Sequence, residues 1–149
     1  MTTTLQKHSL NSPVLVDTSA IYALVSAADD FHAEATGAYR DLIAERAPLY
    51  VTSYVLVESY SLVWRRFGSE ALKSLVESTR DVLQVLWVDH TIHWDAWDAM
   101  SKAKRGSLRF VDWSTIVAAR QLRASVFSFD SDFAGQGLVC IPEKRPIGS

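Results

Sequence analysis

The sequence predicts an α/β protein: a three-layer α/β/α sandwich around a mostly parallel, roughly five-stranded sheet. Five short apolar runs, near residues 14–16, 48–53, 82–88, 124–129 and 138–141, have strand character. Stretches with apolar residues at helical spacing separate most of them, and such crossovers are what parallel neighbours require. A length of 149 residues without repeats or a low-complexity linker suits one domain with one sheet. We place that domain at residues 14–142, with polar tails at 1–13 and 143–149.

The elements follow in order. Val14, Leu15 and Val16 form a strand after Pro13 and stop at Asp17-Thr18-Ser19, residues that turn the chain or cap a helix. Ile21, Leu24 and Val25 then repeat at helical spacing. Asp29-Asp30 is expected to cap a second helix reaching about Glu45, with Ala35, Tyr39, Leu42 and Ile43 on its apolar face. The strand at 48–53 ends in hydroxyl residues and leads into a strongly apolar helix, residues 54–67, closed by Gly68. Residues 69–80 form an amphipathic helix through Ala71, Leu72, Leu75 and Val76. The third strand ends at Asp89, which the following Thr91 and Ile92 mark as a helix cap. That helix carries Ile92, Ala96, Ala99 and Met100 inward and runs to the basic stretch Lys102-Ala-Lys104-Arg105-Gly106. The next helix opens at Asp112 and places Ile116, Ala119 and Leu122 on one stripe.

Totals narrow the function. A net charge of −2 provides no global field for a polyanion, so nucleic acid would need local cations or a bound metal. Cys140 stands alone, which excludes an internal disulfide and a cysteine-based metal site. No apolar run is long enough to span a bilayer, and the polar start lacks the apolar segment of a secretory signal. A cytoplasmic protein without a membrane partner is the expectation.

Four acids stand where such folds place ligands, beyond the carboxyl ends of the strands. Asp17 and Asp130 terminate strands; Glu58 and Asp112 ride or open helices that begin at that edge. On its own Asp112 is most simply an N-cap, worth about 1–2 kcal/mol. Glu58 fits less easily, since its helix neighbours Tyr54, Val55 and Leu62 are apolar and a buried carboxylate needs a cation or donors. Two carboxylates about 4 Å apart repel by about 4 kcal/mol at an effective dielectric near 20, so a cluster implies a cation among them. With all-oxygen donors that cation is a hard divalent ion, Mg²⁺ or Mn²⁺. Such ions share their coordination with substrate phosphate, which makes a phosphodiester the natural substrate.

The runs Val14-Leu-Val-Asp17-Thr-Ser, Val51-Thr-Ser-Tyr-Val-Leu-Val-Glu58-Ser, Leu108-Arg-Phe-Val-Asp112-Trp and Val126-Phe-Ser-Phe-Asp130-Ser-Asp132-Phe resemble, in order, the motifs of PIN-domain ribonucleases. The likeness is greatest to small single-domain toxins of the VapC type and covers about Val14 to Ile141. It implies an Mg²⁺- or Mn²⁺-dependent endoribonuclease with Asp17, Glu58, Asp112 and Asp130 as catalytic acids. Asp17, Asp112, Asp130 and the further acid Asp132 are the implied metal ligands. Thr18 and Ser128 are candidate supports; Ser128 stands where the family usually has Thr, and a hydroxyl is kept. One ion or two remains open at this stage.

The resemblance also implies a cognate antitoxin and points to a homodimer, which the aromatic-rich helices favour too. A housekeeping PIN nuclease in RNA processing shares the chemistry and is the nearest alternative. A non-catalytic PIN scaffold and a receiver-like signalling domain phosphorylated at Asp89 rank lower, the latter because Asp17 is followed by Thr18-Ser19 and not by a second acid. Arg65, Arg66, Lys104, Arg105 and Arg109 are candidates for holding RNA phosphates, or else solvated helix ends. His32 and His93 read as surface or capping contacts. Trp87 is expected in the core because it lies in a strand; Trp64, Trp94 and Trp97 could be core or interface, and Trp113 packs beside the site.

Overall fold

The structure is a computed structural model that describes residues 11–143. Most of both predicted tails lies outside the described residues. Twelve elements follow in order: β1 (Val14–Val16), α1 (Thr18–Val25), α2 (His32–Ala44), β2 (Leu49–Thr52), α3 (Ser53–Phe67), α4 (Ser69–Thr79), β3 (Leu83–Leu86), α5 (His90–Lys102), α6 (Phe110–Leu122), β4 (Ser125–Phe127), a 3-10 turn (Ser131–Gln136) and β5 (Cys140–Ile141). All four strand pairings are parallel and the spatial order is β3-β2-β1-β4-β5. The predicted five-stranded α/β sandwich is the one observed.

Side-chain alternation along the strands divides the core in two. Val14 and Val16 of β1 point to the layer of α1 to α4, packing with Leu49, Val51, Val55, Val63 and Phe127. Leu15, between them, points to the opposite layer of α5 and α6 with Val126, Ile116 and Phe133. Strand β1, fully covered on both faces, is therefore the middle of the molecule. From it the chain builds outward to β2 and β3, then returns to β1's other side for β4 and β5. The carboxyl ends of β1 and β4 thus form a topological switch point, the place where parallel sheets open a crevice.

Several expectations change. Helix α6 is buried on every side from Asp112 through Ala119, not amphipathic, because it is wedged between the sheet and α5. Its small residues Ser114, Ala118 and Ala119 let its neighbours approach closely. It also begins earlier than expected: Arg109 is its N-cap, and Asp112 occupies the third helical position. Helix α2 is preceded by Phe31, not capped by Asp29 or Asp30; Asp29 instead accepts the Phe31 N–H at 2.8 Å in a turn. Asp89 does cap α5, accepting the Ile92 N–H at 2.9 Å. Trp87 is not core: β3 is an edge strand that ends at Leu86, and the indole beyond it is 73% exposed. Trp64, Trp94 and Trp97 are exposed as well, whereas Trp113 is buried. His32 bonds the Ala23 carbonyl and His93 bonds Tyr54 Oη, both contacts within the fold. No described helix is long and apolar enough to cross a membrane.

Candidate active site

Asp17, Glu58, Asp112 and Asp130, from four separate segments, line one open cavity of about 320 Å³ at the switch point. Each arrives by a different local route. Asp17 follows β1 directly and caps α1, while its N–H donates to the Phe127 carbonyl of β4 at 2.9 Å and pins the two strand ends together. Glu58 projects from the second turn of α3, whose start is fixed by Thr52 accepting the Val55 N–H. Asp112 accepts the Arg109 N–H at 2.8 Å, satisfying an otherwise orphaned donor at the start of α6. Asp130 follows β4 and opens the 3-10 turn by accepting the Asp132 N–H at 2.9 Å.

The Asp17 carboxylate is used asymmetrically. Its Oδ2 accepts from Ser19 Oγ and from Ser128 Oγ, each at 2.9 Å. Those hydroxyls are themselves held from the β4 side, where the Phe129 N–H donates to Ser19 Oγ and the Asp130 N–H to Ser128 Oγ, both at 3.0 Å. One oxygen is therefore locked in place. Its partner, Oδ1, is buried and has no hydrogen-bond partner, and the same holds for Thr18 Oγ1.

Burial raises the Asp17 carboxyl above the ordinary aspartate range, against the lowering by Ser128, Ser19 and backbone donors. Burial likewise pushes Asp112 up to about 6; the Arg109 N–H opposes this, and repulsion from Asp17 and Asp130 adds to it. Carboxyls raised by burial and by one another are a familiar feature of functional sites. One cation answers them. The Arg109 guanidinium donates to both Glu58 oxygens, at 2.8 and 2.7 Å, and stands 3.7 Å from Asp112. Glu58, the acid that needed a cation, has found one 51 residues away.

The sequence profile of the PIN domain matches residues 14–137. The chain belongs to the PIN-domain family. Among solved structures, this PIN domain is similar to VapC20 of Mycobacterium tuberculosis, described as a sarcin-ricin loop cleaving toxin, with 28% identity, a TM-score of 0.74 and 89% of this chain and 99% of that chain covered. It is also similar to FitAcB of Neisseria gonorrhoeae, at 17% identity and TM-score 0.66 over 85% of this chain and 95% of that one. VapBC2 of Rickettsia felis, solved bound to a DNA fragment from its promoter, follows at 13% identity and TM-score 0.64, over 86% and 96%. The last two likenesses concern the fold. A comparison with curated proteins gave no match.

Among the described residues of the PIN domain, no trio of His, Cys, Asp or Glu forms a finished metal cage. The donor set nonetheless fits a hard divalent ion: Asp17, Asp112 and Asp130 offer only oxygen, and the unpartnered Asp17 Oδ1 lacks the cation or donor that a buried carboxylate oxygen requires. The other named residues divide. Arg109 lines the acidic cavity, but Asp132 and Lys104 line a second one beside it. Arg105 is exposed and lines neither, as are Arg65 and Arg66 in the last turn of α3. Asp89 stays with its cap, away from the cavity.

Ser19 escaped sequence reasoning. The available signal was that two hydroxyls follow Asp17, and it is the second, not Thr18, that reaches back to the carboxylate. Tyr22, Leu62 and Ser107, which complete the cavity wall, carried no signal of their own.

Proposed function

We propose that this PIN domain is a divalent-metal-dependent endoribonuclease and the toxin of a VapBC-type toxin–antitoxin pair. The observation that carries this reading is the convergence of Asp17, Glu58, Asp112 and Asp130 on one cavity at the β1/β4 switch point. Asp17, Asp112 and Asp130 would hold Mg²⁺ or Mn²⁺, which activates water and offsets charge on the phosphate in reactions of this class. The chain's own contribution is positioning. Ser19 and Ser128 fix the rotamer of Asp17, so that its free oxygen needs no reorganisation when a cation arrives. Asp112 is held by the α6 N-terminus, and Asp130 by the turn it caps. The Asp132 N–H holds Asp130, and Asp132, the further acid that the resemblance implies near the metal, lines the adjoining cavity. Glu58 keeps Arg109 at the rim, where a guanidinium is also placed to meet substrate phosphate.

The substrate and partner readings draw on the relatives. The likeness to VapC20 supports structured ribosomal RNA as the first substrate to try, and the VapBC and FitAB likenesses support a protein antitoxin. Exposed Trp64, Trp94 and Trp97 give a homodimer apolar surface to bury. A reducing cytoplasm fits a chain whose one cysteine, Cys140, can form no internal disulfide.

The test is to incubate the protein and its Asp112→Asn variant with a labelled RNA hairpin carrying the sarcin–ricin loop, in Mg²⁺, in Mn²⁺ and in EDTA. Internal cuts by the wild type in metal alone are expected. If that RNA and total ribosomal RNA both stay intact, and Mn²⁺ leaves the wild-type melting temperature unchanged, the nuclease reading fails. Growth arrest on induction, relieved by the reading frame next to the gene, separates a toxin from a housekeeping nuclease.

A further inference from the structure

The acidic cavity explains where a scissile phosphate could meet metal, but not how a chain of net charge −2 holds the rest of a polyanion. A second cavity, of about 610 Å³, adjoins it: Ser107 lines both. Its charge is of the opposite kind. Lys102, Lys104 and Arg120 line it against one acid, Asp132. The three cations come from the end of α5, the following loop and the last turn of α6, so their convergence is a product of the fold and not of one charged run.

The walls are partly built in advance. Arg120 Nη2 donates to the Gln136 backbone carbonyl at 3.3 Å and to its Oε1 at 3.4 Å, which holds the guanidinium at the wall. Lys102 is held by Asp98 at 2.9 Å. Lys104 forms no ion pair among the described residues and is exposed. Trp113 also lines the groove, yet it is only 6% exposed, too little to offer its face to a base. A stacking platform needs an open aromatic face, and phosphate positioning needs only cations.

We propose that this groove is a phosphate subsite for a nucleotide flanking the cleaved bond, with Lys104 and Arg120 as its contacts and Ser107 at the boundary with the acidic cavity. This rests on the nuclease reading. The groove positions RNA by charge without reading base identity: its proposed contacts are the cations Lys104 and Arg120, and the Gln136 amide oxygen is engaged by Arg120. Target choice must then come from elsewhere on the surface or from RNA shape.

The test uses the full chain with Lys104→Gln, Arg120→Gln and the double variant. A control, Lys73→Gln, removes an exposed cation from α4, which contributes to neither cavity. Metal-free binding of a labelled single-stranded RNA is followed by anisotropy across a salt series. Each groove variant is expected to flatten the salt dependence by roughly 0.7 in slope, the value for one phosphate contact on a single strand. Lys104→Arg should restore the Lys104 contact. In cleavage assays the groove variants should raise KM more than they lower kcat, equally for RNAs that differ in the flanking base.

Slopes that match the wild type, or a control that flattens as much as the groove variants, would overturn the subsite. So would a KM effect that depends on the flanking base. If the wild type binds RNA through these residues but cuts none with Mg²⁺ or Mn²⁺, it is the nuclease reading that fails, and the flanking role with it. A wild type that cuts while the groove variants bind and cut unchanged removes the groove alone.

Discussion

Replacing Asp112 by asparagine should stabilise the metal-free protein, and by an amount that depends on pH. The carboxyl is pushed from the ordinary 3.8 up to about 6, chiefly because it is buried. A folded-state pKa above the unfolded one means that the contribution to stability is complete below about pH 4 and is lost as pH rises through about 6. A shift of about two pH units corresponds to roughly 3 kcal/mol of penalty at neutral pH and above. Asparagine carries no such penalty and keeps an oxygen for the Arg109 N–H that Asp112 accepts. Protonated aspartate and asparagine are close in shape and charge, so the low-pH end is an internal control.

The expected gain is therefore near zero at pH 4 and about 2–3 kcal/mol at pH 8. For a domain of this length that is about 6–10 °C in melting temperature. Thermal melts of both proteins in EDTA, at half-unit steps from pH 4 to 8, measure it. A variant less stable than the wild type at pH 8, or a difference that stays flat with pH, would refute the reasoning and return Asp112 to a purely capping role. The same variant should lose metal-dependent cleavage, so stability and activity move in opposite directions.

Other perturbations test the parts around it. Arg109→Gln frees Glu58 from its two hydrogen bonds, and Mn²⁺ should then bind about fivefold tighter by calorimetry, the ratio matching an ion pair worth about 1 kcal/mol at this exposure; weaker Mn²⁺ binding would show that the pair prepares the site and does not compete for it. Ser128→Ala removes one of the hydroxyls on Asp17 Oδ2 and should cost about 1–3 kcal/mol in urea denaturation at pH 8. Burial raises the Asp17 carboxyl, so the cost should shrink as pH falls and Asp17 protonates, and a pH-independent cost would assign Ser128 to packing. Phe133→Ala empties a fully buried ring site in the 3-10 turn that Asp130 caps; about 3–5 kcal/mol should be lost, with Mn²⁺ affinity falling in the surviving fold, and retained Mn²⁺ affinity would show that Asp130 does not depend on that anchor.

The sequence made the strands, their parallel arrangement and the edge that gathers Asp17, Glu58, Asp112 and Asp130 readable, because each follows from local periodicity plus one rule about parallel sheets. Where reading failed, the missing quantity was nonlocal or fell at a boundary. Trp87 looked internal because it continues an apolar run, but only strand order makes β3 an edge, and its last pairing is made by Leu86. Asp112 looked like a cap because the apolar spacing begins after it, whereas Arg109, in extended backbone, starts the helix three residues earlier. No spacing rule could join Arg109 to Glu58 or Ser19 to Ser128, since the partners lie 51 and 109 residues apart.

Asp130 and Asp132 show how fine the limit is. Both follow β4, two residues apart, and on a continuing strand they would share a face. Asp130 instead turns the chain into a 3-10 helix by accepting the N–H of Asp132. Past that turn the two residues line different cavities, Asp130 the acidic one and Asp132 the basic one. The division also has a physical logic. A further acid beside Asp17, Asp112 and Asp130 would deepen a repulsion that already adds to the burial-driven rise of Asp112, whereas beside Lys102, Lys104 and Arg120 it offsets part of a positive field.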